Sequence, residues 1–176
     1  MSHPRALPAP SGPLCLVSKA LLQGAITASR SSPRRRIVQP FHRSESDTLH
    51  RMFNAVQPDS YIPPHRHLEP PKAETWLVLR GALAFFTFDD QGAITECLEI
   101  RAGGEYFGVD LEPGVYHTFF ALEPDTVVYE VKDGPYSPTT DKAFPDWAPR
   151  EGSPEANSYL AQLRTEFAQR SKTKSA

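Results

Sequence analysis

Residues 74–100 read ETWLVLRGALAFFTFDDQGAITECLEI. Residues 74–80, 82–89 and 94–100 form three runs rich in β-branched and aromatic side chains, the composition of strands. Gly81 and the cluster Asp90-Gln91-Gly92 fall between them, where the chain must turn. The middle run, Ala82-Leu83-Ala84-Phe85-Phe86-Thr87-Phe88, is apolar on both faces. A sheet with one wet face alternates, so this strand predicts a cover on its outer side, either a helix or a second subunit.

Working outward, residues 49–57, 106–111, 116–121 and 126–132 read as further strands. Gly103-Gly104, Glu112-Pro113-Gly114 and Glu123-Pro124-Asp125 supply turns between them. Short strands with no helices between them predict an all-β fold, an antiparallel sandwich or small barrel. Two helices flank it. Leu16, Val17, Ala20, Leu21 and Gly24 fall near helical spacing within residues 14–29, ahead of Ser31-Ser32-Pro33. Residues 154–170 place Leu160, Leu163 and Phe167 on one face behind Ser153, a candidate cover for the two-faced strand. Residues 133–151 hold four prolines and read as a surface strap anchored by Phe144 and Trp147. The expected organisation is a disordered tail (1–13), an N-terminal helix and basic linker (14–45), the barrel (46–135), and a C-terminal strap and helix (136–176).

The chain has 176 residues, 39% hydrophobic and 23% charged, with a formal net charge of -2. That length suits one domain, which needs no disulfide or metal merely to fold. No run approaches the ~18 apolar residues of a membrane span. Cys15 and Cys97 are too few for a disulfide scaffold or a four-thiolate zinc site, and a reducing, cytoplasmic setting is expected. Residues 1–44 carry seven basic side chains and no acid. Their Arg- and Ser-rich composition resembles a targeting peptide, but Lys19 and Gln23 interrupt the apolar run from Leu14 to Ala28. The other 132 residues hold 12 basic against 21 acidic side chains, a balance that repels nucleic-acid phosphates.

Three histidines and one glutamate have informative spacing. His65 and His67 are one residue apart, so on an extended chain both rings project to one face. Glu74 follows after a proline-assisted turn, and His117 opens a later strand behind Pro113-Gly114-Val115-Tyr116. Three imidazoles and one carboxylate suit one divalent transition metal, iron, manganese, nickel or zinc. On a six-coordinate ion they leave two positions for water or substrate. Glu69 is a second carboxylate within reach of the pair.

The run Pro64-His65-Arg66-His67 with Glu74 and Gly81 resembles the first cupin motif, and Glu112-Pro113-Gly114-Val115-Tyr116-His117 the second. The spacer from His67 to Glu74 is six residues, longer than in most cupins, and Ala121 stands where many have asparagine. Over residues 16–165 the chain is similar to the WbuC family of cupin-fold metalloproteins. His50-Arg51-Met52-Phe53-Asn54, Lys72-Ala73-Glu74-Thr75 and Tyr129-Glu130-Val131-Lys132-Asp133-Gly134-Pro135-Tyr136 also carry that likeness. The resemblance implies a cupin-type β-barrel (jelly roll), bound metal, and a link to surface-polysaccharide biosynthesis.

Alternation from Glu74 points Lys72 and Trp76 toward the same interior, Lys72 as an acid/base group and Trp76 as a substrate contact. Tyr61 offers a hydroxyl, and Arg51 a fork for a carboxylate or phosphate. His50 and Arg51 face opposite sides of their strand, so at most one of them lines a cavity. The leading expectation is a metal-dependent enzyme on a small polar metabolite, a carbohydrate or nucleotide sugar, of isomerase or epimerase type. A non-catalytic ligand-binding module and an iron-dependent dioxygenase remain open. The expected partner is a small molecule, with neither nucleic acid nor membrane, and the chain is expected to pair as a homodimer.

Overall fold

The computed structural model describes residues 4–174. Helix α1 (Lys19–Ser31) starts later than the apolar spacing predicts, because the Ser18 hydroxyl caps it by accepting from the Leu21 N–H. Eight strands follow: β1 (Arg36–Pro40), β2 (Leu49–Val56), β3 (Glu74–Arg80), β4 (Ala82–Phe88), β5 (Ile94–Arg101), β6 (Gly108–Leu111), β7 (Tyr116–Ala121) and β8 (Thr126–Asp133). Helix α2 (Ala156–Lys174) closes the chain. Strand β1 lies inside the stretch read as a basic linker. Its apolar signal is only Ile37-Val38, hidden between three arginines and a proline. Arg5–Pro8, in the stretch read as a tail, runs beside β1, with Ala6 bridged to Val38 and the Leu7 N–H donating to Val38 O at 2.8 Å.

The strands form two antiparallel sheets of a jelly roll, ordered β1-β2-β8-β3-β6 and β5-β4-β7. They face each other as a sandwich rather than closing into one ring. Gly81 makes the β3–β4 turn with φ +74°, and an added Cβ would clash with Thr126 Oγ1. Between the sheets lie Val56, Trp76, Val78, Phe85, Phe119 and Val128.

Each sheet also has a covered outer face. Phe53, Ala55 and Val127 pack under Ala25 and Ile26 of α1. Phe86, Phe88 and Phe120 pack under Leu160 and Leu163 of α2. Helix α2 is therefore the cover that the two-faced β4 requires, and that strand asks for no second subunit. Trp147 of the strap packs against Phe88, with ring centroids 5.1 Å apart, and edge-on against Tyr116 at 5.8 Å, anchoring the chain on its way to α2.

Asp125 ties α1 to the strands. It accepts from Arg30 Nε at 2.8 Å and from Gln57 Nε2 at 3.1 Å, while Gln57 also donates to Ser29 Oγ at 2.8 Å. The Arg30 hydrogen bonds hold its carboxyl below the ordinary aspartate range, against a smaller upward push from burial.

Two outcomes are expected. Leu163→Ala should cost about 2–5 kcal/mol in urea unfolding, because a buried methyl-rich side chain leaves a void under β4. Asp125 has a depressed folded pKa, so its contribution is present above about pH 4 and is lost as pH falls through the folded value. The Asp125→Asn variant should therefore start less stable at pH 7 and show a shallower acid decline in melting temperature than the wild type.

Candidate metal centre

His65 and His67 sit on an extended segment between β2 and β3 that is held from both sides. On one side His65 pairs with His117, N–H to O at 3.0 and 2.9 Å in the two directions, and Gly114 N–H donates to His67 O. On the other side Arg66 pairs with Ala143 of the strap. Alternation then sends both imidazoles inward and Arg66 outward, where its guanidinium lies 4.2 Å over the Tyr116 ring. Glu74 is the first residue of β3, in register with Leu111 and Lys132, and His117 is the second residue of β7. The four side chains are buried, none more than 3% exposed, and their candidate ligand atoms all lie within 4.8 Å of one another. Glu69 is exposed and lies outside the group.

Hydrogen bonds orient each ligand. His65 Nδ1 meets Pro63 O and His117 Nδ1 meets Val115 O, both at 2.9 Å, and His67 Nδ1 meets the Asp141 carbonyl. A carbonyl can only accept, so each Nδ1 carries the hydrogen and each neutral Nε2 presents a lone pair. Trp76 Nε1 donates to Glu74 Oε2 at 3.0 Å, leaving Oε1 for the centre. His67 Nε2 closes on that Oε1, His117 Nε2 is 3.6 Å from it, and all three atoms are buried without a geometrically sound hydrogen bond. Lone pairs converging without hydrogens between them are what a cation satisfies.

Protonation states agree. Burial holds His65 well below the usual imidazole range and lowers His117 to about 4, the latter against an opposing pull from Glu74. Burial pushes Glu74 upward, but the close approach of His67 and the nearby His117 and Lys132 outweigh it and keep the carboxyl ionised. Neutral imidazoles and one carboxylate make a donor set that suits one divalent metal ion.

The centre opens on a cavity of about 650 Å³ whose lining includes His65, Glu74, Trp76, Phe119, His50 and Lys142. Trp76 thus stands in the cavity wall as expected. Lys72 does not: its ammonium bonds Asp141 Oδ1 at 2.7 Å and Pro135 O at 2.5 Å, and the side chain is 2% exposed. Asp141 is shared with Lys132 at 3.2 Å, which lies 3.6 Å from Glu130, which accepts from Asn54 at 2.6 Å. Lys132 and Glu130 read from sequence as an ordinary strand end, yet both line the cavity. His50 lines it too, so β2 parity turns Arg51 to the other face, toward α1. Tyr61 also points elsewhere, its hydroxyl donating to Pro149 O at 2.8 Å in the cluster under α2. Asp141 and Lys142 carried no sequence signal beyond their place in the strap.

Fold and site together define a cupin-type jelly roll with a three-histidine, one-glutamate centre. Residues 17–100 match a family described only as a domain of unknown function (DUF6016), a span that holds His65, His67 and Glu74 but not His117. No curated protein matches the chain. Among solved structures, CapF with the inhibitor 3-isopropenyl-tropolone is 19% identical over 65% of this chain and 32% of its own, with a TM-score of 0.52. Oxalate decarboxylase from Bacillus subtilis is 20% identical over 56% of this chain and 24% of its own, with a TM-score of 0.45. The chain thus spans about a third or less of these relatives. Among the described residues no helix is long and apolar enough to cross a membrane.

Trp76→Phe keeps an aromatic ring in the core and removes the donor to Glu74. Its affinity for Mn²⁺ or Zn²⁺, measured by competition with a chelating dye, is expected to fall roughly 10–100-fold with the fold retained in circular dichroism.

Proposed function

We propose that this chain is a metal-dependent enzyme acting on a small polar metabolite, with His65, His67, Glu74 and His117 as the ligands of one divalent ion. The observation that carries the reading is the convergence of buried, unprotonated donor atoms, within 4.8 Å of one another, beside a cavity of about 650 Å³. Pockets of that size suit small molecules. When bound, the ion would supply Lewis acidity, polarising a carbonyl or vicinal hydroxyls of the substrate. The walls do the rest: Trp76 orients Glu74 and offers an aromatic face, and Phe119 excludes water. Lys72 enters as a positioning residue. It holds Asp141, whose carbonyl fixes the His67 ring. A carbohydrate or nucleotide sugar as substrate, an isomerase or epimerase reaction, and a cytoplasmic setting rest on the resemblance to WbuC proteins.

One observation favours a second reading, a ligand-binding module without turnover. Asp141 and Glu130, the carboxylates nearest the centre after Glu74, are both tied to lysines. Few groups are then free to move a proton. Iron content with oxygen uptake would instead mark a dioxygenase.

Elemental analysis of the purified protein tests the proposal. About one transition-metal ion per chain is expected in the wild type, and little in a folded His65→Ala variant. Equal metal content in the two would overturn it. Stabilisation by a ligand in the absence of any turnover would select the second reading.

A further inference from the structure

The strap sets a charge beside the metal centre that the cupin motifs do not contain. Arg66 and Ala143 exchange both backbone hydrogen bonds, Arg66 N–H to Ala143 O at 3.0 Å and the reverse at 2.9 Å. In an antiparallel pair, residues directly opposite share a face. That register sets Lys142 opposite His67 and Phe144 opposite His65, so both strap side chains turn with the histidines toward the cavity. Their neighbours agree: the rings of Phe144 and His65 are 6.1 Å apart, and Lys142 and Phe144 both line the cavity. The strap cannot easily rotate, since the preceding Asp141 carbonyl is engaged by His67.

The charges in this cavity do not cancel. Asp141 is shared by Lys72 and Lys132, and Glu130 faces Lys132. Glu151 is taken by Arg34 at 2.9 Å and Arg36 at 2.6 Å. Among the described residues, no carboxylate lies within ion-pair distance of Lys142 or Arg150. The Arg150 guanidinium sits 4.7 Å over the Phe144 ring, and both it and Lys142 line the cavity from exposed positions on the strap. Lys142 is exposed to solvent and lines the cavity, so its ammonium is open to a ligand entering there. A divalent ion held by one carboxylate adds net positive charge to the same space.

We infer that the cavity takes a small molecule bearing an oxyanion, a carboxylate or a phosphate, gripped by Lys142 and Arg150 at the wall facing the metal centre. The inference rests on the metal-dependent reading above and narrows its substrate class: a neutral sugar leaves both cations unanswered, whereas an anionic group answers them. Charge-assisted contacts of this kind fix orientation as well as affinity. Lys142 acts here through its charge.

Isothermal titration of metal-loaded protein with inorganic phosphate, malonate and D-glucose tests this. Phosphate or malonate should bind and D-glucose should not, and the tighter of the two anions identifies the group. Lys142→Met should weaken that binding roughly tenfold or more, with metal content unchanged, and Lys142→Arg should recover most of it. Affinity unaltered in Lys142→Met, glucose binding as tightly as the anions, or no anion binding to the wild type would each overturn the inference. Should the wild type take up no metal, the metal reading fails by itself. Titrating the metal-free protein then still reads the two cations, with the same loss expected in Lys142→Met.

Discussion

Four buried donor atoms that point their lone pairs at one another are the constraint around which this molecule is organised. Unpaired, such groups cost several kcal/mol of lost hydration, and a buried carboxylate costs more. The fold nevertheless holds them within 4.8 Å. It does so by fixing the far side of each ring: Pro63, Val115 and Asp141 each give a carbonyl to an imidazole, and Trp76 gives its indole N–H to Glu74. Three of those four partners lie within two residues of the ligand they orient, so the local chain carries most of its own geometry. Asp141 is the exception, since it reaches His67 from 74 residues downstream.

That exception gives the strap its importance. A loop over a sandwich usually needs only to close the chain, and such segments are tolerant of change. This one pairs with the histidine segment through Ala143, supplies a carbonyl to His67, and then anchors Trp147 against Phe88 before α2 begins. Lys72 and Lys132 take the two carboxylate oxygens of Asp141, at 2.7 and 3.2 Å. A buried ion network of this sort contributes little net stability but penalises any other arrangement of the strap. Metal geometry and strap position are thereby coupled.

Much of this was legible in the sequence. Strands β3 and β7 lie where alternation and turn residues put them, and β4, apolar on both faces, does find a helical cover in α2. The four ligand candidates were readable because a His-x-His pair, a strand-return glutamate and a turn-led histidine are local patterns. What escaped was set by distant pairing. Strand β1 has two strong apolar residues, and it becomes a strand only through its register with β2. Arg51 and His50 cannot be assigned a face until β8 fixes which side of β2 is inside. Lys72 has the right parity with Glu74 and is buried, but Asp141 captures its ammonium and it does not line the cavity.

The same distant pairing bears on whether the site can do chemistry. A proton carrier beside a metal must reach the substrate and must not be locked in a stronger partnership. Lys72 and Lys132 fail the second condition through Asp141, and Asp141 fails it through them. Glu130, raised by burial against the pull of Lys132, is held by Asn54. Lys142 escapes that network: it lines the cavity, has no carboxylate partner among the described residues, and keeps its charge free for an anionic group. The orientation of a bound anion then depends on a residue outside both cupin motifs, carried on a strap that also fixes the His67 ring.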